Sequence, residues 1–259
     1  MKRLRLIALT LSLAISATSP AMAQQGVEDW DLTADPTQQL TLATLDFGGN
    51  ALAFRCKAGV LDFLMTGAPA TATTARIVQV TAGGIEDERQ TWQTEPGLPV
   101  LSASEPDRLA RLLRAGGDLG LRVEPVTADD RPLRYRLPIP PSATALDQVL
   151  SACGASLADE WDLRPRGLAN GVVWDRLIAP KYPEAAATRD VPLATVQLAC
   201  IVATEGRLDE CRILSETPDG LGFGRSALAA ARQSRVTVTD ASSVGTVVRY
   251  SYLFRAPEG

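Results

Sequence analysis

The sequence predicts an α+β protein in two parts. An N-terminal antiparallel β-rich domain with two short helices precedes a small α+β domain, a three-stranded antiparallel sheet with two helices. Three observations lead there. Between Leu40 and Leu137, short runs of β-forming residues are broken by glycine-containing turns, the pattern of an antiparallel meander. Two segments near the end of that stretch carry apolar residues at helical spacing. Beyond residue 176 the chain reads as helix, hairpin, helix and strand.

The chain opens with a basic region, Lys2, Arg3 and Arg5, followed by an apolar run from Leu6 to Ala17 and then Ala21-Met22-Ala23. The run is shorter than the roughly 20 residues a membrane helix needs. The small-residue site that follows marks residues 1–23 as a signal peptide and Gln24 as the mature start. A periplasmic address follows, with no transmembrane helix after cleavage. Cleavage leaves about 236 residues and lowers the basic count from 26 to 23 against 30 acids, a net charge of about −7. So acidic a chain lacks the basic footprint of a nucleic-acid binder. Its length suggests two domains, placed at 24–160 and 176–259 with a linker at 161–175.

In the first domain, strands are expected at Leu40–Phe47, Ala51–Lys57, Val60–Met65, Ala75–Thr81, Leu119–Val123 and Leu133–Leu137. Gly48-Gly49-Asn50 and Ala58-Gly59 supply the first turns, and Pro138 and Pro140 close the last strand. Ser104-Glu105-Pro106-Asp107 has the form of a capping box with an early proline. Leu109, Leu112 and Leu113 continue that helix to Gly116-Gly117. The second helix spans about Ala143 to Cys153, with Leu146, Val149 and Leu150 on its apolar face and Gly154 as its C-cap. Pro165, Gly167 and the absence of an apolar period place the boundary just beyond.

In the second domain, Pro183 suits a helix first turn before Ala185–Ala187. Thr195–Ala203 alternates, and Glu205-Gly206 forms a tight turn into Leu208–Ser215. A two-residue loop there sets Cys200 opposite Cys211, as a hydrogen-bonded pair with Cα atoms about 5.5 Å apart. Gly222–Ser234 reads as an amphipathic helix carrying Phe223, Ala227, Leu228 and Ala231 on one stripe. A last strand spans Thr246–Arg255.

Four cysteines, an even number in an exported chain, suggest disulfides. Two fall in each domain, and the simplest of three pairings is Cys56–Cys153 with Cys200–Cys211. No C-x-x-C motif suggests redox work. Histidine is absent, which excludes Ser-His-Asp and Cys-His catalysis and histidine-containing zinc sites. No glycine-rich phosphate loop, metal spacing or nucleophile elbow is found. The expectation is therefore a non-enzyme with no catalytic residue, metal or cofactor.

The order from Ala179 to Ala256, with Tyr182-Pro183 near its start and Glu205-Gly206 at the hairpin tip, resembles the TonB C-terminal domain over roughly 80 residues. The resemblance implies a small periplasmic α+β module that binds proteins. It also implies that the last strand is an exposed sheet edge, able to take up an extended peptide as another strand. Val247, Arg249, Tyr250, Tyr252 and Phe254 are the partner-binding residues on that reading. The partner would be an envelope protein, an outer-membrane receptor among the candidates. The long proline-rich arm of TonB-type transducers has no counterpart here, so the expectation is binding rather than energy transduction. Two alternatives stand beside it. One is a carboxylate-based envelope hydrolase using acids such as Glu86-Asp87-Glu88 or Asp129-Asp130. The other is a structural envelope assembly factor.

Overall fold

The computed structural model describes residues 30–127, 130–142, 144–167, 173–189, 191–238 and 240–256. The expected signal peptide, the start at Gln24 and Asp129 lie outside these residues.

Alternation of side chains along each strand decides which face is buried. β3 (Ala51–Lys57) buries Leu52, Phe54 and Cys56; β5 (Ala75–Ala82) buries Val78, Val80 and Ala82. β8 (Gly117–Val123) and β9 (Leu133–Ile139) bury Leu119, Leu121, Val123, Leu137 and Ile139. With β1 (Asp31–Asp35), β2 (Leu40–Asp46), β4 (Val60–Thr66), β6 (Ile85–Thr94) and β7 (Val100–Ser102) they form one nine-stranded sheet. Its order is β1-β2-β3-β4-β7-β6-β5-β8-β9, and its strand pairs are antiparallel.

Two helices cover the buried face. α1 (Pro106–Leu113) contributes Leu109, Leu112 and Leu113, and α2 (Ala145–Ala152) contributes Leu146, Val149 and Leu150. Trp30, Phe54, Phe63 and Trp92 run through the same core with successive ring centroids 5.5, 4.8 and 5.5 Å apart. Tilted and edge-on contacts of this kind add about 0.5–1.5 kcal/mol each beyond their area. A disulfide between Cys56 and Cys153 fastens β3 to the end of α2.

The second core lies on a three-stranded sheet of order β12-β11-β14. Its strands are β11 (Leu193–Val202), β12 (Leu208–Thr217) and β14 (Val247–Arg255). α4 (Phe223–Ala231) packs Phe223, Ala227, Ala230 and Ala231 against it, and α3 (Glu184–Ala187) adds Ala186. β10 (Trp174–Arg176) and β13 (Arg235–Val236) pair separately. Tyr182 packs edge-on against Phe223 at 5.3 Å, and its hydroxyl donates to the Val191 carbonyl.

This balance corrects the α+β expectation. Fourteen strands and the nine-stranded sheet dominate the described residues, only 18% of which are helical, so the protein is mainly β. The helices are shorter than the apolar periods suggest. The segment at Ala185 gives a helix of four residues, and Gly222–Ser234 one of nine. The strands are more numerous because polar residues hide several of them. Glu86-Asp87-Glu88 reads as a solvated loop yet belongs to β6, where alternate acids face opposite sides. The expected capping box also does not form. α1 starts after Glu105 without a side-chain cap bond, because the Glu105 carboxylate is taken by arginines.

The hairpin tip differs as well. Thr204–Gly206 forms a 3₁₀ turn, with Glu205 at φ 60° and Gly206 at φ 70°. The Ala203 N–H donates to the Arg207 carbonyl, which makes the loop three residues long. A register shift beyond Ala199, with Glu210 at φ 49°, brings the Cys200 and Cys211 Cα atoms to 4.1 Å. The expected hydrogen-bonded spacing is therefore not the one adopted, although the disulfide is formed.

Candidate functional site

β14 lies at the edge of the three-stranded sheet. Its backbone direction can be fixed from four hydrogen bonds. The Val247 N–H donates to the Pro165 carbonyl, and the Gly167 N–H donates to the Val247 carbonyl. The Val202 N–H donates to the Thr246 carbonyl, and the Ala256 N–H to the Pro192 carbonyl. Even-numbered residues thus bond inward to β11 and odd-numbered ones point outward, since an antiparallel strand alternates. Pro165–Gly167 occupies the first outward position, lying parallel to β14. Among the described residues, no strand pairs with the outward groups of Arg249, Ser251, Leu253 and Arg255. That open edge is about 20 Å long at 3.4 Å per residue.

The structure divides the five residues expected to bind a partner. Tyr250, Tyr252 and Phe254 face the core beneath α4, with Tyr252 and Phe254 buried. Tyr250 meets Trp174 edge-on at 4.9 Å. Burial pushes the Tyr250 hydroxyl's pKa well up, and the neighbouring Tyr252 adds to the shift. These rings build the sheet that carries the edge. Val247 and Arg249 face the opposite side, toward the N-terminal half. Val247 packs with Trp161, Ala199 and Ile201 in a small apolar cluster. The exposed side chains of the strand are Ser251, Leu253 and Arg255, three positions outside the expected set. The strand's strict alternation was the signal that identifies them.

Arg249 enters a buried charge network at the junction of the two halves. Its Nε lies 3.1 Å from Glu105 Oε1. Burial pulls the Arg249 pKa down, against the attraction of Glu105 and Asp107. Arg166 grips the same Glu105 carboxylate with bonds of 2.8 and 3.0 Å. Arg108, 1% exposed, holds both oxygens of Glu88 at 2.5 and 2.9 Å and donates through Nε to the Asp162 carbonyl. Burial disfavours a charged Glu88, but Arg108, Gln90 and Arg166 outweigh it and hold its pKa below the ordinary value. Arg111 binds Asp162 at 2.7 Å and Asp107 at 3.2 Å. Burial opposes the Arg111 charge, while Asp162 and Asp107 raise its pKa overall.

Residues 161–167, read from the sequence as linker, supply much of this junction. Trp161 is 4% exposed, and Arg212 of β12 stacks over its ring at 3.7 Å. Arg212 also pairs with Asp159 and Glu160. Stacking and pairing together suit arginine, whose planar fork does both.

The acids weighed for hydrolysis are placed apart. Glu88 is committed to Arg108, while the Asp87 N–H donates to Thr81 Oγ1 on the outer face. Among the described residues, no group of three or more His, Cys, Asp or Glu side chains is arranged to hold a metal ion. No described helix is long and apolar enough to cross a membrane, and the two disulfides fit an exported protein. No protein-family model matches the chain, and no curated protein matches it significantly.

Proposed function

We propose that the protein is an exported, non-catalytic binding protein that captures an extended segment of an envelope protein by adding it as a strand to β14. The observation that carries this reading is the open edge from Arg249 to Arg255. It presents outward N–H and C=O groups on a strand whose inward groups and rings are fully engaged. Strand addition draws its affinity from such main-chain bonds, and its selectivity from alternate side-chain contacts. Leu253, 53% exposed, and Arg255 beside it offer an apolar and a cationic contact. The bridge between Arg166 and Val247 supports the reading further, since this edge already accepts one extended segment. The resemblance of the C-terminal order to the TonB C-terminal domain supports the same class of partner, an envelope protein with outer-membrane receptors among the candidates. A periplasmic location follows from the N-terminal signal pattern.

The test removes one outward donor. Ser251→Pro deletes an N–H that β11 does not use, and proline is tolerated on edge strands. Intact protein and the variant are used as baits for crosslinking capture from envelope extract. The expected result is a partner captured by the intact protein and lost with Ser251→Pro, at an unchanged thermal midpoint. Equal capture by both baits overturns the reading.

A further inference from the structure

The outer face of the nine-stranded sheet carries a row of side chains that the edge strand does not use. Register places Arg134 opposite Arg122, Arg122 opposite Gln79, and Gln79 opposite Arg89. These four residues cross β9, β8, β5 and β6 on the face away from the helices, because the residues flanking Arg122, Gln79 and Arg134 in sequence point to the core side. The next row is Arg136, Gly120 and Thr81. Glycine at position 120 leaves a gap in the side-chain layer. A Cβ there would stand 3.3 Å from the Thr81 Cβ, with little else near. The gap is the floor of a pocket of about 300 Å³, whose walls include Arg122, Arg134, Arg136, Asp87 and Asp118.

The charges in this pocket do not cancel. Arg136 pairs with Asp118, and Arg89 pairs with Glu124. Arg122 spends one N–H on the Gln79 amide oxygen, and its Nε is buried without an acceptor. Among the described residues, neither Arg122 nor Arg134 has a carboxylate within ion-pair reach. Like charges placed directly opposite on neighbouring strands repel and cost stability. Here two guanidinium groups hold that arrangement at the wall of a cavity. An oxyanion between them removes the repulsion and gains charge-assisted bonds from planar donors. Thr81 and Asp87, at the other side of the glycine floor, present a hydroxyl and a carboxylate suited to hydroxyl groups.

We infer that this pocket binds a small hydroxylated ligand through an oxyanion, phosphoryl or carboxylate, seated between Arg122 and Arg134 above Gly120. The site lies on a different sheet from β14 and stands independently of the strand-addition reading.

Amide NMR of the intact protein, titrated at constant ionic strength, tests it with three probes: inorganic phosphate, glucuronate and neutral glucose. Saturable shifts confined to β5, β8 and β9 around Gly120 are expected with phosphate, glucuronate or both, and not with glucose. Saturation by phosphate alone identifies a phosphoryl ligand, and by glucuronate alone a sugar acid. Arg134→Gln, at an exposed position, and Gly120→Val, which fills the floor with a β-forming side chain, should each weaken binding about tenfold, or roughly 1.4 kcal/mol. Arg55→Gln, on β3, should leave it unchanged. No saturable shift with either anion, an equal response to glucose, or undiminished affinity in both pocket variants overturns the inference.

Discussion

Glu88 sits in β6 at 8% exposure with both carboxylate oxygens on Arg108. Its pKa is lowered in the fold despite burial, and the ordinary glutamate value is 4.5. The folded protein therefore binds this proton less readily than the unfolded chain does. The stabilisation it provides is present above about pH 4.5 and is lost as pH falls through the lower folded value. Glu88→Gln should be less stable than the parent near pH 7, by about 1–3 kcal/mol for a buried hydrogen-bonded charge. That gap should narrow as pH falls below about 4.5 and the folded protein takes up the proton. Urea midpoints of both proteins across this range measure it, and a gap that stays constant with pH would show that the Glu88 charge is not the source. The position illustrates a limit of reading residues from their neighbours in sequence. Arg108 lies twenty positions from Glu88, and nothing local to Glu86-Asp87-Glu88 reveals that its last acid is covered.

Among the elements, the hairpin of β11 and β12 is the most demanding. Gly206 has φ 70°, and a Cβ on it would stand 1.9 Å from the Val236 carbonyl oxygen in β13. Gly154 after α2 also has a positive φ, 66°, but nothing lies within 4 Å of its Cβ position. Gly206→Ala should therefore cost clearly more than the roughly 1–2 kcal/mol expected of Gly154→Ala from backbone conformation alone. Chemical denaturation of the two variants compares them, and equal losses would mean that β13 yields without resistance. The glycine, the place of the turn and both strands are legible in the sequence, because glycine and alternation are local signals, whereas the three-residue length of the loop is not. The register shift at Glu210 is not, since it depends on how β12 meets β11 and α4. The same division holds elsewhere. Strands β3, β5 and β8 announce themselves through alternating Leu, Val and Phe. β1, β6 and β7 are polar or short, and only long-range pairing defines them. That is why the sequence pattern overstates the helical share and understates the mainly β character of the fold. At the candidate site the edge strand was readable as a strand. The capping of its first residue by Pro165–Gly167 was not, because that stretch has no period, and neither was the capture of Arg249 by Glu105, because the two lie far apart in sequence.

At the scale of the whole molecule, two apolar cores meet through ions and one tryptophan. The first core depends on a bridge between residues 97 positions apart. Chain entropy assigns such a loop about 4–5 kcal/mol as an upper figure. Replacing Cys56 and Cys153 together with serine, in a chain otherwise unaltered, should lower the unfolding midpoint followed by tryptophan fluorescence, to which buried Trp30 and Trp92 of this core contribute. A midpoint unchanged from the parent would mean that the core holds α2 without the bridge. Each half contains its own pair of cysteines, 56 with 153 and 200 with 211, and none is left over. Covalently, then, the molecule is two closed circuits joined by one single thread. A single protease cut from 57 to 152 leaves one connected molecule, whereas a single cut from 154 to 199 produces two pieces. Non-covalent contacts such as the Arg249–Glu105 pair then hold those pieces together, so they can part without any thiol chemistry.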